Sequence, residues 1–175
     1  MRPILLGLCL FAAACSGQSL NSPTSPTSTG LGSTGLGRAQ TEAQGGAALP
    51  FRGSFTTVTD VPPPFSHATA EGTATQLGRF TATLAAEVNP DSTSTGTFTF
   101  TAANGDQLSG TLVGEGVFLP PNTARISEVA TIENGTGRLA GATGTFTIVR
   151  FDIIDFATGK ATGHGTFEGH INVSN

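Results

Sequence analysis

From Phe51 onward, apolar residues recur at every second position. Phe80, Ala82, Leu84, Ala86 and Val88 share one face, and Arg79, Thr81, Thr83, Ala85 and Glu87 share the other. Such alternation predicts a half-buried strand, because successive side chains of extended backbone point to opposite faces. The same period runs through Phe51-Gly53-Phe55, Phe98-Phe100, Leu108-Gly110-Leu112, Ile126-Ala130-Ile132, Phe146-Ile148 and Phe167-Ile171-Val173, and a less apolar strand is predicted over Ser66–Thr75. Turn signals lie between these runs: Pro62-Pro63-Pro64, Asn89-Pro90-Asp91, Asn104-Gly105, Pro120-Pro121-Asn122, Asn134-Gly135 and Thr158-Gly159. About eight short strands at this spacing predict an all-β domain, either a sandwich or an antiparallel up-and-down barrel.

The pattern before Phe51 is different. Met1-Arg2-Pro3 precedes an apolar run from Ile4 to Ala14, one basic residue followed by a stretch too short to span a bilayer. This predicts a secretory signal peptide over residues 1–15. Both cysteines, Cys9 and Cys15, lie within it, so no disulfide is expected in the folded domain. Cys15 follows Ala12-Ala13-Ala14 and precedes Ser16-Gly17, which resembles a bacterial lipobox; Ala12 and Ala14 also fit an ordinary cleavage site. Lipidation at Cys15, giving a cell-envelope lipoprotein, and plain secretion both follow from this segment. Residues 16–49 carry Ser-Pro-Thr-Ser-Pro-Thr-Ser-Thr and a Leu-Gly-Ser-Thr-Gly-Leu-Gly near-repeat without an aromatic side chain. Such a stretch buries too little apolar surface to offset its chain entropy and is expected to be a flexible tether, with a Thr/Pro-rich stalk as the alternative. Residues 50–175 form the predicted barrel domain.

Composition narrows the function. The chain has 175 residues, 24 glycines, 10 prolines, 12 phenylalanines and neither Trp nor Tyr. Stacking platforms for sugars or bases are therefore disfavoured, as are the aromatic girdles of a membrane barrel. A formal charge of −4, one unit more negative once the leader with Arg2 is removed, gives no basic footprint for nucleic acid. There is no Gly-x-Ser-x-Gly elbow and no cysteine nucleophile beyond Cys15. No cofactor is implied.

Two segments carry a resemblance. Ile132-Glu133-Asn134-Gly135-Thr136-Gly137-Arg138-Leu139-Ala140-Gly141-Ala142-Thr143-Gly144 is a glycine-studded corner, and Gly165-Thr166-Phe167-Glu168-Gly169-His170-Ile171 is a glycine-rich last strand. Together they resemble the allene oxide cyclase and dirigent superfamily. The likeness is closer to secreted bacterial proteins with an allene oxide cyclase barrel-like domain, which also echo Gly72–Thr81 and Thr101–Asp106. The resemblance implies an eight-stranded antiparallel, calycin-like barrel, often a homo-oligomer, whose interior can hold a small apolar molecule. It transfers no activity. No catalytic motif of the plant cyclases has a counterpart here, and Gln76 stands where bacterial relatives often have His. The corner is also no phosphate loop, since Thr145-Phe146-Thr147-Ile148 continues as strand and no Gly-Lys-Ser/Thr follows.

The candidate chemistry is sparse. Glu128 interrupts the apolar stripe of Ile126, Ala130 and Ile132, and Arg150 and Asp152 share parity with Phe146 and Ile148. If these three point inward, they form a buried acid–guanidinium cluster that could polarise a ligand carbonyl or exchange a proton. The simpler expectation is that a bulge or strand end shifts the parity and leaves Glu128 and Arg150 at a rim. His164, Glu168 and His170 share a face with Thr162, Thr166 and Asn172, which reads as solvent rather than as a metal site. His67 and Glu71 read as a surface pair. The leading functional expectation is an exported barrel binding a small apolar or amphiphilic ligand, with no membrane contact beyond the N-terminal lipid. Two alternatives are a cofactor-independent isomerase or cyclase acting by steric control, and a structural or adhesive surface protein.

Overall fold

A computed structural model describes residues 48–60 and 64–173. The leader, Cys15 and the tether up to residue 47 lie outside the described residues, as does most of the Pro62-Pro63-Pro64 turn. Among the described residues are eight strands: β1 (Ala48–Asp60), β2 (Phe65–Ala74), β3 (Gly78–Val88), β4 (Thr93–Ala102), β5 (Gln107–Leu119), β6 (Thr123–Gly135), β7 (Thr143–Asp155) and β8 (Lys160–Asn172). A single 3₁₀ turn, Gly137–Leu139, stands between β6 and β7. Each strand pairs antiparallel with the next, and β1 pairs with β8 from Ala48↔Asn172 to Asp60↔Lys160, so the sheet closes into a barrel. Closure removes both sheet edges, so each strand has a neighbour on both sides.

The alternation read from the sequence is the alternation between lumen and solvent. Phe80 and Ala82 are buried while Arg79, Thr81 and Thr83 are exposed, and the same holds for Phe98 and Phe100 in β4 and for Phe146 and Ile148 in β7. An eight-stranded barrel has a lumen only wide enough for side chains or one small ligand. One end of it is filled here. Phe146 lies 5.1 Å from Phe51, 5.3 Å from Phe98, 5.9 Å from Phe100 and 5.3 Å from Phe167, centroid to centroid, mostly edge to face. Leu77 in the β2–β3 turn and Leu139 in the 3₁₀ turn are buried against this cluster and close that end of the barrel.

Asn134-Gly135 does not turn the chain, contrary to its reading as a turn signal. Both residues continue β6, opposite Ser109 and Leu108. The reason is a bulge: Ser109 faces Asn134 but Gly110 faces Ile132, so Glu133 is the extra residue, and Thr111 Oγ1 donates to Glu133 Oε1 at 2.8 Å. The reversal comes later, over Thr136–Ala142. β1 begins at Ala48, two residues ahead of the predicted domain start.

Candidate binding site at the barrel mouth

Toward the opposite end, where β1, β3, β5 and β7 finish, the lumen changes character. Thr57 and Thr59 continue the inward stripe of β1 beyond Phe55, and all three charged candidates, Glu128, Arg150 and Asp152, point inward. Glu128 and Asp152 are each 2% exposed and Arg150 is 6% exposed. The expectation that Glu128 and Arg150 sit at a rim is therefore wrong. The bulge that could have shifted their parity falls at Glu133, beyond Ile132, and β6–β7 pairing runs unbroken from Thr123↔Ile153 to Ile132↔Gly144. Glu128 thus stays in phase with Ala130.

Glycines make room for the cluster. Glu128 lies opposite Gly114, where an added Cβ would come within 2.6 Å of its Cγ. Arg150 lies opposite Gly165, where a Cβ would stand 2.8 Å from its own Cβ. Gly163 faces Asp152 on one side and Thr57 on the other, so β8 presents no side chain between them. Across that gap Thr57 Oγ1 donates to Asp152 Oδ1 at 3.2 Å. Arg150 Nη1 lies 3.1 Å from Asp152 Oδ2 and donates to Thr59 Oγ1 at 3.4 Å. Thr57, Thr59 and the glycines are participants that the sequence reading passed over. The signal was present in β1, whose alternation continues from Phe55 through Thr57 to Thr59.

Two atoms of the cluster are left over. Glu128 Oε2 and Arg150 Nε are buried and have no hydrogen-bond partner among the described residues. They lie 3.7 Å apart, close enough for attraction between charges but too far for a hydrogen bond. Burial raises the Glu128 pKa above the ordinary carboxyl value, against the pull of Arg150, and the nearby Asp152 adds to the rise. Removing a carboxylate from water disfavours its charged form, so Glu128 is held toward the protonated acid.

Above this floor lies a cavity of about 250 Å³. Its wall is largely apolar, with Ala86, Val88, Ala124, Ile126 and Ile154, and its polar lining comprises Thr59, Ser66, Ser92, Ser94 and the three charged residues. Phe118 borders it, half-exposed, with its ring 6.2 Å from that of Phe156. A larger depression of about 800 Å³ involves the outer wall, but its titratable side chains, Glu71 and His164, are exposed, so it lacks the desolvated chemistry of the mouth. His67, His164, Glu168 and His170 are all exposed. Among the described residues no three His, Cys, Asp or Glu side chains converge as a metal site. Comparison of the chain with protein-family models, curated proteins and solved structures gave no match.

Proposed function

We propose that this is an exported barrel, lipid-anchored at Cys15 or secreted, that binds a small amphiphilic molecule in its open mouth. The apolar part of the ligand lies against Ala86, Val88, Ile126 and Ile154, and its polar end reaches Glu128, Arg150 and Asp152. One observation carries this reading: an apolar-walled cavity of about 250 Å³ ends on a buried ionisable cluster. Desolvated charge does not improve a barrel core, since well-packed apolar side chains of similar volume stabilise as well or better. Pockets that bind small molecules, in contrast, combine apolar walls with a few fixed polar groups. At roughly 30 Å³ per water-sized group, the cavity takes a ligand of about eight non-hydrogen atoms. The resemblance to allene oxide cyclase-like barrels supports an interior ligand of this kind. The buried acid beside a guanidinium also favours a second reading, a cofactor-free isomerase that holds a reactive molecule in one shape.

The test is purification of the full chain from its own host followed by native mass spectrometry. A bound small molecule is expected, and Ala86→Phe, which fills the mouth, should remove it. A ligand-free protein whose cavity methyl resonances ignore added short-chain amphiphiles would overturn the reading.

A further inference from the structure

We propose that the rim of the barrel mouth docks on a lipid bilayer of neutral headgroups, inserting Phe65, Phe118, Leu119 and Phe156 toward the acyl chains. This adds a membrane contact to the lipid expected at Cys15, and it does not depend on whether the cavity holds a ligand.

The two ends of the barrel differ in what their turns expose. At the closed end, the turns over 75–77, 103–106 and 136–142 carry two large apolar side chains, Leu77 and Leu139, and both are buried. At the mouth, Phe65 opens β2, Phe118 and Leu119 finish β5, and Phe156 follows β7; they are 59%, 50%, 40% and 68% exposed. The rings of Phe118 and Phe156 stand 6.2 Å apart, which joins the β5–β6 and β7–β8 turns into one apolar edge. The four side chains expose roughly 400 Å² of apolar surface, a size at which an exposed patch marks an interaction. On the outer wall the exposed apolar side chains are instead hemmed by polar ones: Phe151 lies between Arg125 and His164, and the pair Val113 and Val129 between Thr95 and Thr147.

Area, charge and chain length choose the occupant. A second copy would need about twice this area, since a stable protein interface buries roughly 800 Å² on each partner. A bilayer takes side chains individually, and a surface that enters it by about 5–10 Å buries them. Around the mouth the exposed Asp60, Glu87, Asp91 and Asp155 outnumber Lys160 and Arg125, and Lys160 is already paired with Asp60. Anionic headgroups therefore find no basic excess to attract them. β1 starts at the closed end, and 32 residues lie between Cys15 and Ala48. They span up to roughly 110 Å at full extension, against a barrel about 30 Å tall for tilted strands of this length. The chain is thus long enough for the mouth to meet the surface that a lipid on Cys15 would enter.

The experiment uses the full chain, which has neither Trp nor Tyr, so one introduced indole reports one position. Phe156→Trp places it on the rim and Ala103→Trp on the β4–β5 turn of the closed end. Each is mixed with phosphatidylcholine vesicles brominated in their acyl chains, which quench an indole that enters the hydrocarbon. Phe156→Trp is expected to shift to shorter emission wavelength and be quenched, and Ala103→Trp to do neither, however the N-terminal segment attaches. Adding Phe65→Ser and Phe118→Ser to Phe156→Trp should weaken the quenching about tenfold, with the far-ultraviolet circular dichroism unchanged. Quenching of both indoles or of neither overturns the proposal. Stronger quenching on phosphatidylglycerol vesicles overturns apolar insertion as its basis, and a blue shift that grows with protein concentration in the absence of vesicles assigns the rim to a second copy instead. No readout involves a ligand of the cavity, so failure here leaves the proposed binding at the mouth standing.

Discussion

Replacing Glu128 by leucine should stabilise the barrel, although it removes one member of a buried charged cluster. The side chain is 2% exposed, Oε2 has no hydrogen-bond partner among the described residues, and Arg150 Nε is 3.7 Å away. An unpartnered buried polar group costs about 1–3 kcal/mol. Leucine removes that cost and leaves Arg150 with its ion-pair partner Asp152 at 3.1 Å, so the net gain should be about 1–3 kcal/mol. Asp152→Leu is the opposing control: it strips Arg150 of that partner and should destabilise by about 3–5 kcal/mol. With neither Trp nor Tyr in the chain, intrinsic fluorescence is uninformative. Urea unfolding is therefore followed by far-ultraviolet circular dichroism, with the midpoint shifting and the slope unchanged. For Glu128→Leu the corresponding rise in Tm is roughly 3–10 °C. A loss of more than about 1 kcal/mol in Glu128→Leu would refute the reasoning. It would mean that Glu128 is an ionised partner of Arg150 and that the pair, not the unpartnered acid, governs the energetics of the floor.

The pH dependence has a definite sign. Because burial raises the folded-state pKa of Glu128 above 4.5, its effect on stability is level below about pH 4.5 and becomes increasingly unfavourable as pH rises toward the folded value. The stability difference between Glu128→Gln and the parent should therefore grow in favour of the variant as pH rises through that window, and a flat difference from pH 4 to 9 would contradict it. The carboxylates of Asp60, Asp91, Asp106 and Asp155, whose pKa values are lowered by hydrogen bonds, cancel in that difference. Gly163→Ala should destabilise by about 1–3 kcal/mol through overpacking, since its Cβ would run into Asp152 Oδ1 and stand 2.5 Å from the carbonyl oxygen of Phe151; thermal unfolding that matches the parent would count against the close packing across β8. Phe146→Ala, at a ring 2% exposed and in contact with Phe51, Phe98, Phe100 and Phe167, should lose about 3–5 kcal/mol in urea titration.

The wall of the barrel was legible because period-two alternation is local. Phe80 to Val88, or Phe98 with Phe100, announce an inner face without reference to any other strand. The floor of the mouth was only half legible for the opposite reason. Glu128 broke an apolar stripe visibly, but whether that stripe kept its phase depended on where β6 placed its bulge, and Glu133 took it. Thr57 and Thr59 were missed because a threonine in a strand usually marks the solvent face. Their inward phase continues that of Phe55, but the hydrogen bonds they make involve Asp152 and Arg150, 95 and 91 residues away in the chain. The Asn134-Gly135 signal misled because the bulge carried both residues on as strand, moving the reversal to the 3₁₀ turn where Leu139 plugs the lumen.

The last strand shows how one compositional feature serves both halves of the lumen. Gly169 and Gly165 lie opposite Phe146 and Arg150, and Gly163 lies between Asp152 and Thr57. In a barrel of fixed girth, every large inward side chain needs a missing one beside it. Toward the Phe146 end the vacated space is filled by rings, which yields stability. Toward Asp152 it admits ionisable groups, of which Glu128 keeps a buried Oε2 without a hydrogen bond at a cost to stability. A floor that weakens the fold where alanine and isoleucine would pack well suits the proposed binding site, because polar groups already desolvated and fixed in place need little reorganisation when a ligand arrives.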